Sequence, residues 1–149
     1  DTLFCLKIVE KAGKAILYVP DLVVWHHRRA KLIKHLRQVG NYGLHRGYFA
    51  KAFPQTSRKI KYFIPSLWAV FVGMSMIDSL IPPGAGWLSQ TGWMVYLIAL
   101  AVTWVDILRY ETKGVAASAI PYIMLTHIWY GIKFMQGLGT TNLKSSLGR

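Results

Sequence analysis

The chain has 149 residues, 53% of them hydrophobic, and its mean hydropathy is +0.30. This composition excludes an ordinary water-soluble domain of that length and favours a protein that is solvated in part by lipid. The net charge of +12 would suit nucleic acid, anionic lipid or a phosphate-bearing ligand. Because thirteen of the eighteen Lys and Arg side chains precede residue 62 and the remainder is apolar, membrane partners are favoured and nucleic acid is not expected. Cys5, the single cysteine, excludes an intrachain disulfide.

The first 27 residues have the alternation of an α/β domain. Apolar residues at helical spacing predict a helix over residues 2–12, and Gly13 stands where that helix would stop. Two short runs rich in β-branched and aromatic residues follow, 15–19 and 22–25, with the Pro20-Asp21 turn between them. These runs predict two buried or edge strands.

Residues 28–61 form the most basic part of the chain. Leu32, Ile33, Leu36 and either Val39 or Gly40 recur at helical intervals, while Lys, Arg and His fill the other faces. The pattern predicts an amphipathic helix in the headgroup layer, with its apolar stripe toward acyl chains and its cations among anionic lipids. A solvated helix packed on a soluble domain is the alternative.

Three apolar stretches then predict transmembrane helices over 62–81, 91–110 and 114–138, each near the roughly 20 residues that cross a bilayer core. Trp and Tyr side chains near their ends would form an aromatic belt. The basic excess before the first stretch predicts a cell-membrane protein whose N-terminal part is cytoplasmic. With three spans, the C-terminal tail would lie outside. Asp78 and Asp106 lie near predicted span ends, where a capping or snorkelling carboxylate is expected.

Polar side chains that could carry chemistry occur in three places. They are Asp1, the run His-His-Arg-Arg over 26–29, and the stretch 38–46. Because guanidinium groups pair bidentately with phosphate oxygens, the run 26–29 could hold a diphosphate, and contact with anionic headgroups is an equal alternative. The sequence has no CxxC, HExxH, phosphate-binding loop or GxSxG motif, so no metal ligands are predicted in this chain.

The order of these features resembles the end of the catalytic domain of family 2 glycosyltransferases. In that family an acidic pair, usually Glu-Asp, precedes a helix, a Gly, a strand ending in Val-Pro and a Val-x-His strand. The counterparts here are Asp1-Thr2, Gly13, Val19-Pro20 and Val24-Trp25-His26. The later segments RQVGNYGLHRGYF and THIWYGIKFMQGL are similar to the tail of membrane-bound members that build surface glycans.

The resemblance implies a mixed fold. The terminal α/β portion of a GT-A-type domain would occupy residues 1–27, and an all-α membrane region of about three transmembrane helices would occupy 62–149. It also implies a nucleotide-binding half before Asp1, where an Asp-x-Asp motif would hold Mg²⁺ or Mn²⁺. The chain is therefore expected to be a C-terminal piece that does not turn over alone.

The resemblance implies roles for two residues near the chain start. Asp1 would be the general base that takes a proton from the acceptor hydroxyl as it attacks the anomeric carbon of a nucleotide-activated sugar, with inversion. Such a base typically raises the reaction rate by about 10²- to 10⁴-fold. His26 would lie near the diphosphate or the metal.

The basic helix carries the implied acceptor-binding residues. Gln38 to Tyr42 stands where processive members have QxxRW, with Asn41 in place of the Arg, so a single sugar addition is expected. Tyr42 would stack on the acceptor sugar, and Arg46 would supply the missing cation or contact lipid. The implied function is sugar transfer from a nucleotide-sugar donor to a lipid-linked or glycan acceptor at the cytoplasmic membrane face. The alternative is a small non-catalytic membrane protein whose basic arm binds anionic lipid or a partner.

Overall fold

The computed structural model describes residues 2–25, 31–78 and 86–143 of the chain. Within those ranges every regular element is helical and no strand is formed. The elements are α1 (Thr2–Ala12), α2 (Leu32–Ala52), the single turn α3 (Pro54–Ser57), a 3₁₀ turn (Ile60–Tyr62), α4 (Ile64–Asp78), α5 (Trp87–Ile107) and α6 (Lys113–Gly139).

The helix predicted near the chain start is confirmed as α1, over Thr2–Ala12. It ends at Gly13, whose φ of +59° is the left-handed conformation that glycine adopts without a steric penalty. A helical pattern of apolar residues and a glycine after its last turn are local signals, so the sequence sufficed to place this element.

The α/β portion predicted over residues 1–27 is wrong for the described residues 2–25, and Asp1 and residues 26–27 lie outside them. Residues 15–19 and 22–25 form no strand, and their large side chains are open to solvent, with Tyr18 89% and Trp25 95% exposed. A strand is stable only when a neighbour satisfies its backbone groups, and the described residues offer no such neighbour. The β-branched and aromatic composition of these runs is a preference for a packed sheet surface, so it does not create a sheet by itself.

The number of membrane-length helices is two among the described residues, and the prediction of about three is corrected. Helices α5 and α6, of 21 and 27 residues, are long and apolar enough to cross a membrane. The predicted span 62–81 appears as α4, whose 15 residues reach about 23 Å against a hydrocarbon core of about 30 Å. The predicted span began at Tyr62, the last residue of the 3₁₀ turn Ile60–Tyr62, and its residues 79–81 lie outside the described residues.

The closest helix pair is α2 with α6. The side of α2 buried against α6 consists of glycines and an alanine. A Cβ atom added at Gly43 would lie 2.7 Å from the carbonyl oxygen of Tyr130, and at Gly137 of α6 it would meet the backbone of Leu44. Small residues allow this backbone-to-backbone approach, which is the usual packing of membrane helices.

Contacts along the pair show that α2 and α6 run parallel. Near the start of α2, His35 Nε2 lies 3.2 Å from Thr126 Oγ1. Near its end, the Lys51 ammonium donates to the carbonyl oxygen of Thr140. Partner numbers therefore rise together, and α2 lies beside the C-terminal two-thirds of α6.

Helices α5 and α6 form a hairpin that α4 joins near the end of α6. The turn 108–112 connects the two helices, and Tyr96 Oη lies 3.1 Å from His127 Nδ1. Ser66 of α4 donates its hydroxyl to the Gly131 carbonyl at 3.2 Å. The start of α4 and the end of α6 therefore lie at the same end of the bundle, opposite the 108–112 turn.

Candidate functional site

Three of the five predicted site residues lie on one face of α2. Gln38, Tyr42 and Arg46 are four residues apart, so they follow one another along a single side of the helix. The Gln38 side-chain amide donates to the Tyr42 hydroxyl at 3.1 Å. Asp1 and His26 lie outside the described residues.

Tyr42 and Arg46 line a cavity of 430 Å³ between α2, the 3₁₀ turn, the start of α4 and α6. The other side chains around it are mainly aromatic, basic or hydroxylated: Lys61, Tyr62, Pro65, Thr126, His127 and Tyr130. Tyr42 and Arg46 of α2 therefore form one wall of a concave site, and three other elements build the rest.

A cation–aromatic cluster forms part of the lining of this cavity. The guanidinium carbon of Arg46 lies 4.4 Å from the centre of the Tyr62 ring, and the Lys61 ammonium lies 5.4 Å from it. Contact with an aromatic face positions a cation without neutralising it. Both charges therefore remain available for an anionic group of a ligand.

Among the described residues, neither cation forms an ion pair with a carboxylate. The sequence has no Asp or Glu between Lys31 and Ile77, although that stretch holds more than a third of the Lys and Arg, and none between Thr112 and Leu143. Among the described residues the ion pair is that of Asp106 with Arg109, at the opposite end of α5. The elements that build the cavity, α2 through the start of α4 and the C-terminal half of α6, therefore carry cations and no carboxylate of their own, which favours anions.

Polar groups on α6 hold the back of the cavity in place. Thr126 contacts His35 of α2, and the neighbouring His127 contacts Tyr96 of α5. Tyr96 in turn stacks on Trp68 of α4, with ring centres 3.7 Å apart. Since each contact ties α6 to a different helix, the wall formed by α6 is fixed by the whole bundle.

Sequence reasoning missed Lys61, Tyr62, His127 and Tyr130. His127 had a usable signal, because an ionisable side chain within an apolar span usually faces a protein interior or a functional site. Tyr62 and Tyr130 had none, since aromatic residues near span ends are common for reasons of lipid solvation alone. Only their placement around Arg46 distinguishes them.

The described residues bring no three His, Cys, Asp or Glu side chains together. The Mg²⁺ or Mn²⁺ that the glycosyltransferase resemblance implies stays an expectation about the intact enzyme. Comparison with known proteins adds no relative: no protein-family model, curated protein or solved structure matches this chain.

Proposed function

We propose that this chain binds a lipid-linked acceptor, with the phosphate of the acceptor at Arg46 and Lys61, and that it does so as part of a glycosyltransferase. The observation that carries the proposal is the cavity itself, in which two unneutralised cations lie beside tyrosine rings and against α6, one of the two membrane-length helices. Phosphate on a long apolar chain is the ligand chemistry that such a position favours.

The tyrosines supply the contacts that a sugar needs. Flat aromatic faces pack against the C–H face of a pyranose, and Tyr42, 59% exposed at the cavity edge, has one available. The Gln38 amide orients the Tyr42 hydroxyl, so the ring is held in place before a ligand arrives. In this proposal Arg46 binds the phosphate and Tyr42 binds the first sugar.

The cavity is proposed to face the cytoplasm. The segment before α4 carries the large basic excess, and such segments remain on the cytoplasmic side. Two spans, α5 and α6, return the chain to its starting side, and the contact of Lys51 with Thr140 keeps α2 at that end. The C-terminal tail is therefore proposed to be cytoplasmic, in place of the outside position that three spans would give.

The chemical step belongs to residues beyond the cavity. The resemblance assigns the general base to Asp1 and the nucleotide-sugar donor to a half of the enzyme before it. The proposal keeps those assignments and drops the α/β fold for residues 1–27. In the intact protein, Asp1→Asn is expected to lower turnover about 10²-fold or more while changing donor affinity only a few-fold, since a base acts mainly in the transition state. Normal turnover in folded Asp1→Asn would remove Asp1 as the base.

The binding site can be tested on this chain in nanodiscs with a polyisoprenyl monophosphate as probe. A charge-assisted hydrogen bond contributes about 1.5–3 kcal/mol, so Arg46→Gln should weaken binding about 10- to 150-fold. Arg58→Gln is the matched control, because it removes the same charge from an exposed residue that does not line the cavity. Equal losses in both variants would show diffuse attraction, and no loss in either would exclude the cavity.

The sugar contact has its own test. Tyr42→Ala should leave the affinity for the monophosphate unchanged and weaken binding of the same lipid carrying one sugar on its phosphate, by about 3- to 10-fold for one lost ring contact. If both lipids lose affinity equally, Tyr42 supports the fold of the cavity and does not recognise sugar. Tight binding by an intact protein that transfers no sugar would favour the non-catalytic alternative.

A further inference from the structure

A second groove lies on the other side of the α2–α6 seam, the line along which the small residues of α2 contact α6. Its volume is 440 Å³, and its walls come from Ile33, Leu36 and Arg37 of α2 and from Trp129 and Lys133 of α6. None of these residues lines the cavity of Arg46. The two helices therefore enclose one concave site on each side of their contact.

Gly40 makes this groove possible. A Cβ atom at that position would lie 3.1 Å from Trp129 Cδ1 and 3.3 Å from Lys133 Cγ. Because glycine has no such atom, the Trp129 indole lies against the α2 backbone and forms an apolar floor. The Lys133 ammonium lies 5.0 Å from the centre of the Trp129 ring and donates to Gln136 Oε1 at 2.8 Å.

The groove is apolar along its length and cationic at its edge. Ile33 is 68% exposed although it lies on α2, one of the two helices that form the seam. Together with Leu36 and Trp129 it forms an apolar strip along the groove. Arg37 forms no ion pair within the described part of the chain, and Lys133 bonds only a neutral amide there. Apolar area that continues into unneutralised cations matches an amphiphile with an anionic head.

We infer that this groove binds an anionic glycerophospholipid, with an acyl chain along Ile33, Leu36 and Trp129 and its phosphate between Arg37 and Lys133. The occupant follows from charge. A second copy of this chain would bring the same cations to the same surface, and like charges oppose that pairing. A zwitterionic lipid such as phosphatidylcholine also has a phosphate, but its head group carries a cation of its own, so it neutralises Arg37 and Lys133 less well.

The inference does not depend on the lipid-linked acceptor, because the two sites share no residue. It gives the basic arm a specific bilayer contact. A phospholipid in this groove would join α2 to α6 on one side while the other side stays free for the acceptor. The arm would then be held at the membrane by one defined lipid as well as by general attraction to the anionic surface.

The test uses the 149-residue chain in phosphatidylcholine bilayers to which one brominated lipid is added. That lipid is either phosphatidylglycerol or phosphatidylcholine with brominated acyl chains. Bromine quenches tryptophan at contact, and the difference between the unmodified chain and Trp129→Phe isolates the signal of Trp129. We expect brominated phosphatidylglycerol to quench Trp129 at lower mole fractions. Each of Arg37→Gln and Lys133→Gln should reduce that preference about fivefold, the usual effect of one cation at a membrane surface.

Arg46→Gln is the control, since it removes one cation from the other side of α2 and should leave the preference unchanged. Equal quenching by the two brominated lipids would overturn the inference, as would an equal effect of Arg46→Gln. Protection of Trp129 that rises with protein concentration would show that a second copy occupies the groove instead. If Trp129→Phe fails to fold, native mass spectrometry of the lipid retained by the unmodified chain, Arg37→Gln and Arg46→Gln makes the same comparison.

Discussion

A side chain at Gly43, in the seam between α2 and α6, should destabilise the packing of these two helices. A Cβ atom there would lie 2.7 Å from the Tyr130 carbonyl oxygen and 3.3 Å from the Phe134 nitrogen, whereas an ordinary contact begins at 3.4 Å. Both atoms belong to the α6 backbone, so they cannot rotate away. Gly43→Ala must therefore move the helices apart along the seam.

The size of the effect follows from two opposing contributions. Overpacking a close contact costs about 1–3 kcal/mol, while alanine in a helix gains up to about 1 kcal/mol over glycine. The net loss expected for Gly43→Ala is about 1–2 kcal/mol, or roughly 3–8 °C in thermal midpoint for a chain of this size. Gly47→Ala should lose more, because its Cβ would approach the Phe134 carbonyl more closely still.

Gly73 in α4 provides the matched control. A Cβ atom at Gly73 meets nothing within 4 Å, so Gly73→Ala keeps only the helix-propensity gain and should raise the midpoint by about 2–3 °C. Thermal unfolding of the three variants in one detergent, followed by circular dichroism, makes the comparison. Midpoints that move in the same direction for Gly43→Ala and Gly73→Ala would refute the close packing of α2 on α6.

Two further predictions concern α4 and the topology. Ser66→Ala leaves the buried Gly131 carbonyl without its side-chain donor and should lower the free energy of unfolding by about 1 kcal/mol in the same thermal assay. An unchanged midpoint would mean that the hydrogen bond at 3.2 Å adds nothing to stability. In a Cys5→Ser background, an impermeant maleimide should label Thr141→Cys from the cytoplasmic side and Glu111→Cys from the other, and labelling of both from one side would contradict the two-span arrangement.

The sequence predicted the helices that depend on local signals. The spans predicted at 91–110 and 114–138 correspond to α5 and α6, whose observed bounds Trp87–Ile107 and Lys113–Gly139 differ by a few residues at each end. A long apolar run has few alternatives to a helix, because lipid provides no partner for unpaired backbone groups. Helix ends depend on capping, as at Thr112, whose hydroxyl accepts the Val115 N–H at 3.5 Å, and hydropathy carries little of that information.

The sequence failed where structure depends on distant partners. The runs 15–19 and 22–25 have strand-forming residues and no described neighbour to pair with. For α2, the pattern predicted an apolar stripe toward acyl chains through Leu32, Ile33 and Leu36, whereas the side buried in the protein consists of Gly40, Gly43, Gly47 and Ala50. Hydropathy gives weight to large apolar side chains, so it does not detect a contact made by small residues.

The sequence by itself determined that the part before residue 62 is strongly basic, with thirteen Lys and Arg against three Asp and Glu, and that membrane-length apolar helices follow it. Those properties follow from composition and from the length of the apolar runs alone. Only the tertiary structure decided that α2 runs parallel to α6 and that a cavity opens on each side of their seam. Glycine permits a close approach without specifying the partner, and the partner here is set by complementary surfaces about 90 residues apart in the chain.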